Sequence, residues 1–173
     1  MDKPAPAPLQ AIDVLVILKL AAIGRPAAPV RLLADELGLS KSAVALSVRR
    51  LEALGLLRGE GDTRRINKLA LRHCLENAIR WIAPAEVGGS RVGLLTAHAA
   101  PSLASRLLGD DPVVIPLPGG PSRGRAVTPL HPLAPRAAAR DPKLHALLAL
   151  VDAFRIGGAR DREVASAELQ ACL

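Results

Sequence analysis

The first half of the chain carries apolar residues at helical spacing, interrupted by short turns that contain glycine. Apolar positions three and four residues apart indicate helices that bury one face, and glycine often ends such helices because it tolerates a left-handed backbone. The pattern predicts four helices. They cover residues 9–23, 30–37, 41–54 and 67–82.

The third of these helices has two contrasting faces. Val44, Val48 and Leu51 recur at helical spacing and form its apolar face, while Ser40 precedes it and can cap the free amides of the first turn. The residues expected to point away from the core are Lys41, Ser42, Ala45, Arg49 and Arg50.

A short β-hairpin is predicted between the third and fourth helices. Leu56 and Leu57 can start one strand, residues 59–63 are rich in turn formers, and residues 64–66 can return as the second strand. The hairpin therefore has arginines, Arg64 and Arg65, along one edge.

The amino-acid composition changes after Pro84. Residues 83–140 hold most of the prolines and glycines, so we expect an irregular region in which only short elements fit, such as a helix over 101–108 and a strand over 113–115. Helical spacing returns over residues 142–154 and again over 161–171. At the other end, the proline-rich residues 1–8 predict a disordered arm.

The predicted fold class is thus mainly α, with a small β component. It comprises a disordered arm (1–8), a helix-rich segment with a hairpin (9–82), a Pro/Gly-rich irregular region (83–140) and a C-terminal helical segment (141–173). The stretch over 11–24 is interrupted by Asp13 and Lys19 and is too short to span a bilayer, so we expect no membrane insertion.

Charge points to a polyanionic partner. The chain of 173 residues has a formal charge of +7, and between Lys41 and Arg72 eight basic side chains stand against three acidic ones. Lysine and arginine near phosphates release condensed counterions, which favours nucleic acid. The only aromatics are Trp81 and Phe154, too few to stack single-stranded bases. We expect Trp81 to anchor the fourth helix in the core.

The two cysteines show no metal-ligand spacing. Cys74 and Cys172 lie nearly a hundred positions apart, which predicts small, reduced core residues in a cytoplasmic protein and no zinc site. No acid-base pair, nucleophile or phosphate loop is evident either, since residues 119–126 have the glycine spacing G-x-x-x-x-G but lack the lysine of a phosphate-binding loop. We therefore expect no enzyme, no metal and no cofactor.

One stretch carries a fairly specific motif. It runs from Arg31 to Asn67 and contains L-A-x-x-L-G-L-S-x-S-x-V followed by R-L-x-x-x-G-L-L. This stretch resembles the helix-turn-helix and wing of the MarR-type winged-helix regulators of bacteria, and the resemblance does not extend to the C-terminal half. It implies a transcriptional regulator, of repressor type, that binds double-stranded DNA with its third helix in the major groove.

The resemblance also implies roles for individual residues. The residues that would face DNA bases are Ser42, Ala45 and Leu46. Those that would approach the DNA backbone are Ser40, Lys41, Arg49 and Arg50. Arg64 and Arg65 would lie on the wing, with Lys68 nearby. Where many relatives carry serine, threonine or arginine, Ala45 and Leu46 offer only methyl contacts, so direct base readout would be sparse.

Partners other than DNA remain open at this point. The apolar stripe over residues 144–154 predicts either a homodimer through the C-terminal helices or packing onto the first helix. An alternative function is an antitoxin-like or adaptor module, in which the winged helix supports a Pro-rich arm and the C-terminal half binds a partner protein.

Overall fold

The computed structural model describes residues 7–25, 27–107, 109 and 111–173, so the predicted arm over 1–8 lies almost entirely outside the described residues. It is an α+β structure dominated by helices, as predicted. The helices are α1 (Ala11–Ile23), α2 (Val30–Leu37), α3 (Lys41–Ala53), α4 (Lys68–Asn77), α5 (Ile79–Ile82), α6 (Ala134–Arg140), α7 (Pro142–Ile156) and α8 (Ala159–Cys172). Within the described ranges, none of them has both the length and the apolarity needed to cross a bilayer.

The strands form two separate sheets. The first is the predicted hairpin, in which β1 (Leu57–Arg58) pairs antiparallel with β2 (Arg65–Ile66). The second is a small closed barrel of β3 (Val87–Leu95), β4 (Val113–Pro116) and β5 (Ser122–Val127). β3 is antiparallel to both other strands, and β4 is parallel to β5.

This barrel corrects the prediction of an irregular region over residues 83–140. The glycines there allow strands to approach closely: a Cβ added to Gly120 would lie 2.6 Å from the Cα of Gly93, and one added to Gly124 would collide with the carbonyl of Pro112. The predicted strand over 113–115 is confirmed as β4, whereas residues 101–106 form turns in place of the predicted helix. Residues 122–126 lie within β5, so the stretch 119–126 is not a phosphate-binding loop followed by a helix.

Helix α1 lies at the centre of the molecule. Every residue from Asp13 to Leu20 is buried, because α2 and α3 cover one part of the helix and α7 covers another. The two halves of the chain therefore share one core.

Helix α7 is equally central. The apolar stripe predicted on it is buried within the chain itself, and the helix packs on α1, α5, α6 and α8. Packing onto the first helix, one of the two alternatives, is therefore what this stripe does, and it offers no exposed surface for a second chain. The stripe residues are Leu144, Leu147, Leu148, Val151 and Phe154, each at most 4% exposed.

Two networks of charged side chains, each centred on a buried residue, join distant segments. Lys19 Nζ lies 2.8 Å from both Glu36 Oε2 and Asp141 Oδ2, which ties α1 to α2 and to the start of α7. Asp152 accepts hydrogen bonds from Thr96 Oγ1 (2.6 Å) and Arg155 (2.7 Å), which fixes α7 against the end of β3.

The two aromatic side chains have opposite environments. Phe154 is 2% exposed, while Trp81 is 79% exposed, so the prediction that Trp81 anchors the core was wrong. Leu75 and Ile79 face the core, and two residues beyond Ile79 a helix presents its other side. Cys74 is half-buried and Cys172 is exposed; both thiols are free, but Cys172 is not a core residue.

Candidate nucleic-acid interface

The third helix is held in place at its N-terminal end and along one side. Gly38 adopts a φ of +69° where α2 stops, and Ser40 Oγ then accepts a hydrogen bond from the Ala43 amide at 3.1 Å. Val44, Val48 and Leu51 are buried beneath the helix. The predicted cap and the predicted apolar face are both confirmed.

The opposite face of α3 is open to solvent. Lys41, Ser42 and Arg49 are exposed, Leu46 is 54% exposed, and Ala45 is half-buried. Positions 42, 46 and 49 follow one another at helical spacing, and positions 41 and 45 are four apart beside them. These five side chains therefore line a single outer face. We call Lys41, Ser42, Ala45, Leu46 and Arg49 the outer face of α3.

Arg50 does not belong to that face. Its guanidinium makes a two-pronged contact with Asp13 of α1, with Nε to Oδ2 at 2.9 Å and Nη2 to Oδ1 at 2.7 Å, and the side chain is only 11% exposed. The hydrogen bond and charge of Asp13 raise the pKa of Arg50, against the opposing effect of burial. The prediction that Arg50 points away from the core was wrong, because Arg50 neutralises the buried Asp13 carboxylate.

Arg64 is engaged in a similar way. Its Nη2 lies 2.8 Å from Glu52 Oε1, and its Nε donates to the same oxygen at 3.0 Å. The pair ties the hairpin to α3, so Arg64 positions the hairpin and is not a free cation.

The hairpin still presents two free arginines. Arg58 and Arg65 lie directly opposite each other in the register of β1 and β2, and both are exposed. Like charges in directly opposed positions destabilise a strand pair unless something neutralises them. Arg58 was not among the predicted site residues; the alternation of Leu57 inward and Arg58 outward is the signal that could have found it.

The tip of the hairpin has a fixed conformation. Gly59 has a φ of +80°, and a Cβ there would lie 2.6 Å from the Thr63 carbonyl oxygen. Thr63 Oγ1 donates to the Glu60 carbonyl at 2.7 Å, next to a single turn of 3-10 helix at Gly61–Thr63. The two hairpin arginines are thus held in a defined register.

Lys68 follows the hairpin at the first turn of α4. Asn67 caps that helix by accepting from the Ala70 amide at 3.3 Å, and it donates to the Gly55 carbonyl at 3.0 Å. Lys68 is exposed. We call Lys41, Arg49, Arg58, Arg65 and Lys68 the basic set; none of the five makes an ion pair with another described residue.

No group of three or more histidine, cysteine, aspartate or glutamate side chains in the described part of the chain could hold a metal ion. Comparison of the chain with protein-family models, with curated proteins and with solved structures finds no match.

Proposed function

We propose that residues 9–82 form a winged helix-turn-helix of MarR-like type that binds double-stranded DNA. In this proposal α3 enters the major groove, and the hairpin of β1 and β2 is the wing that lies against the neighbouring backbone. The protein acts as a cytoplasmic transcriptional regulator, as a repressor, and it carries out no catalysis and needs no cofactor.

The observation that carries the proposal is the basic set. Five exposed cations without ion-pair partners among the described residues occur on α3, the hairpin and the start of α4, while the other arginines of this region, Arg50 and Arg64, are neutralised internally. DNA phosphates bind to cationic side chains and to the amides at helix N-termini, and this surface offers both.

Base readout in this proposal comes from few groups. Ser42 supplies a hydroxyl that can contact any base, and Leu46 supplies methyl groups suited to thymine. We expect affinity to depend mostly on phosphates, with a modest preference for one sequence.

A homodimer that reads two half-sites remains part of this proposal. Helix α7 does not supply its interface, because the apolar stripe is buried within one chain. Sedimentation of the protein with and without duplex DNA tests this part, and a single chain on each duplex would contradict it.

The test of DNA binding is a salt series with matched arginine variants. We expect the protein to prefer the duplex from upstream of its own coding sequence over a scrambled duplex of equal length. We also expect Arg49→Ala and Arg65→Ala each to lower the slope of log affinity against log salt by about 0.9, the value for one lost phosphate contact. Fluorescence anisotropy of labelled duplexes gives both quantities.

The control is Arg123→Ala. Arg123 is an exposed arginine on β5, so this variant removes the same charge from a different surface. An equal fall in slope for Arg123→Ala would mean that net charge alone drives binding. Unchanged slopes for Arg49→Ala and Arg65→Ala would contradict the proposed interface.

A second candidate function is the antitoxin-like or adaptor module. The sequence favoured this function because it predicted a Pro-rich arm that could wrap around a partner. Residues 87–127 instead include a closed barrel, so that argument no longer holds. The exposed Trp81 favours a protein partner at a different surface.

A further inference from the structure

Among the described residues after the hairpin, the most exposed large apolar side chains lie on α4 and α5. Leu69 is 62% exposed and Trp81 is 79% exposed. His73 and Asn77, also exposed, lie between them at steps of four residues. Leu69, His73 and Asn77 lie four apart on α4 and form a ridge of the kind that packs against another helix. Trp81 follows four residues after Asn77 on α5, beyond the break at Ala78. We call Leu69, His73, Asn77 and Trp81 the Trp81 ridge.

The ridge has a basic border. Lys68 is exposed beside Leu69, and the Arg80 guanidinium carbon lies 5.7 Å from the centre of the Trp81 ring. Glu76, the acidic residue of these two helices, is turned away, since it accepts a hydrogen bond from Ser166 of α8 and lies 3.3 Å from Arg72 Nε. The outward-facing charges of α4 and α5 themselves, Lys68 and Arg80, are therefore basic.

We propose that the Trp81 ridge binds an acidic segment of a partner protein, one that presents apolar side chains flanked by carboxylates. Tryptophan and arginine are the residue types most enriched at the energetic centres of protein interfaces. Apolar groups of the partner would cover Leu69 and Trp81, and its carboxylates would pair with Arg80 and Lys68. Lys68 also belongs to the basic set, so this one cation is common to both proposed surfaces. The proposal does not otherwise depend on DNA binding.

Two other occupants fit the surface less well. A second copy of the chain, crossing this ridge about a two-fold axis midway along it, would place Trp81 against Leu69 but would also bring Arg80 close to the other copy's Lys68, which is repulsive. A DNA duplex offers phosphates to Arg80 but leaves the leucine and the indole uncovered.

The chain contains its own reporter for this surface. Trp81 is the single tryptophan and there is no tyrosine, so indole fluorescence reports the Trp81 ridge alone. The probe is a synthetic amphipathic peptide with leucine on one helical face and glutamate on the other, and the matched peptide carries lysine in place of glutamate.

We expect the glutamate peptide to cause a saturable blue shift with one peptide bound per chain, and the lysine peptide to cause none. Leu69→Ala and Arg80→Gln should each weaken binding at least about fivefold, and Trp81→Ala, followed by calorimetry, at least about tenfold. Leu46→Ala is the control, since it truncates an exposed leucine on α3 (54% exposed) and should leave binding unchanged. Thermal melts by circular dichroism verify that each variant is folded.

Several outcomes would overturn the proposal. Equal shifts with both peptides would show that charge plays no part, and no shift at saturating glutamate peptide would show that the ridge binds no such segment. A blue shift produced by raising the protein concentration alone would assign the ridge to a second copy. A response to duplex DNA that Arg80→Gln abolishes would assign it to nucleic acid.

Discussion

The interior and the α3–hairpin surface hold charged residues in opposite settings. Asp13, Lys19 and Asp152 are buried, and each meets one or two partners of opposite charge at 2.7–2.8 Å. Arg49, Arg58 and Arg65 are exposed and make no ion pair with any residue in the described ranges. The difference separates charges that assemble the fold from charges that remain available to a partner.

The largest effect is expected from breaking a buried pair. Arg50→Ala leaves the Asp13 carboxylate buried without its guanidinium, which typically costs about 3–5 kcal/mol of unfolding free energy. Arg49→Ala removes a neighbouring exposed arginine and should change that free energy by less than about 0.5 kcal/mol. Urea denaturation measures both, and similar midpoints for the two variants would mean that the Asp13–Arg50 pair contributes nothing to folding.

A medium effect, with a defined pH dependence, is expected at Lys19. Burial alone would raise the pKa of Asp141, but the hydrogen bonds from Lys19 and from the Leu144 and Lys143 amides outweigh it, so the net pKa is lowered. Burial alone would likewise lower the pKa of Lys19, and the hydrogen bonds to Asp141 and Glu36 raise it overall.

The two shifts define a pH window. The contribution of Asp141 is complete above its unfolded pKa of about 3.9 and is lost as the pH falls through its lower folded pKa. The contribution of Lys19 is complete below about 10.4 and is lost as the pH rises through its higher folded pKa. Lys19→Met should lower the free energy of unfolding by about 1–2 kcal/mol near neutral pH. It should also weaken the dependence of this free energy on pH in both the acidic and the alkaline range. Urea denaturation at a series of pH values measures this dependence, and Lys143→Met, at an exposed lysine, is the control. An unchanged pH dependence in Lys19→Met would show that the Lys19 ion pairs do not contribute to it.

The smallest effect, of opposite sign, is expected at the hairpin. Arg58→Ala removes one of two like charges in directly opposed positions and should raise the unfolding free energy by about 0.2–1 kcal/mol. The same variant should weaken binding to duplex DNA. A stability gain together with an affinity loss, measured by thermal melting and anisotropy, would mark Arg58 as a residue kept for binding. A stability loss would show that the opposed pair is not repulsive.

Periodicity and glycine placement were enough to predict α1, α2, α3 and the hairpin. The single helix predicted over 67–82 is instead divided at Ala78 into α4 and α5. They could not separate Arg49 from Arg50, which are adjacent and identical, because the deciding partner Asp13 lies on another helix. The same holds for Arg64 and Glu52. Sequence position assigns a side chain to a face, whereas its availability depends on contacts between elements.

The barrel was not predictable from composition, because its glycines look like chain breakers. Gly93 and Gly124 are instead required where strands approach too closely for a side chain. Trp81 was misassigned for a related reason: a large apolar residue was expected inside, although position 81 falls opposite the buried Ile79 on its helix.

The central position of α1 bears on how this protein can be modified by recombination. Transplanting residues 9–82 into another chain would leave behind α7 and uncover a flank of α1 that is now completely dry. Exposing that much apolar surface to water would lower the free energy of unfolding. Residues 9–82 alone are therefore not expected to fold stably in another protein, and a fusion should include the C-terminal helices as well.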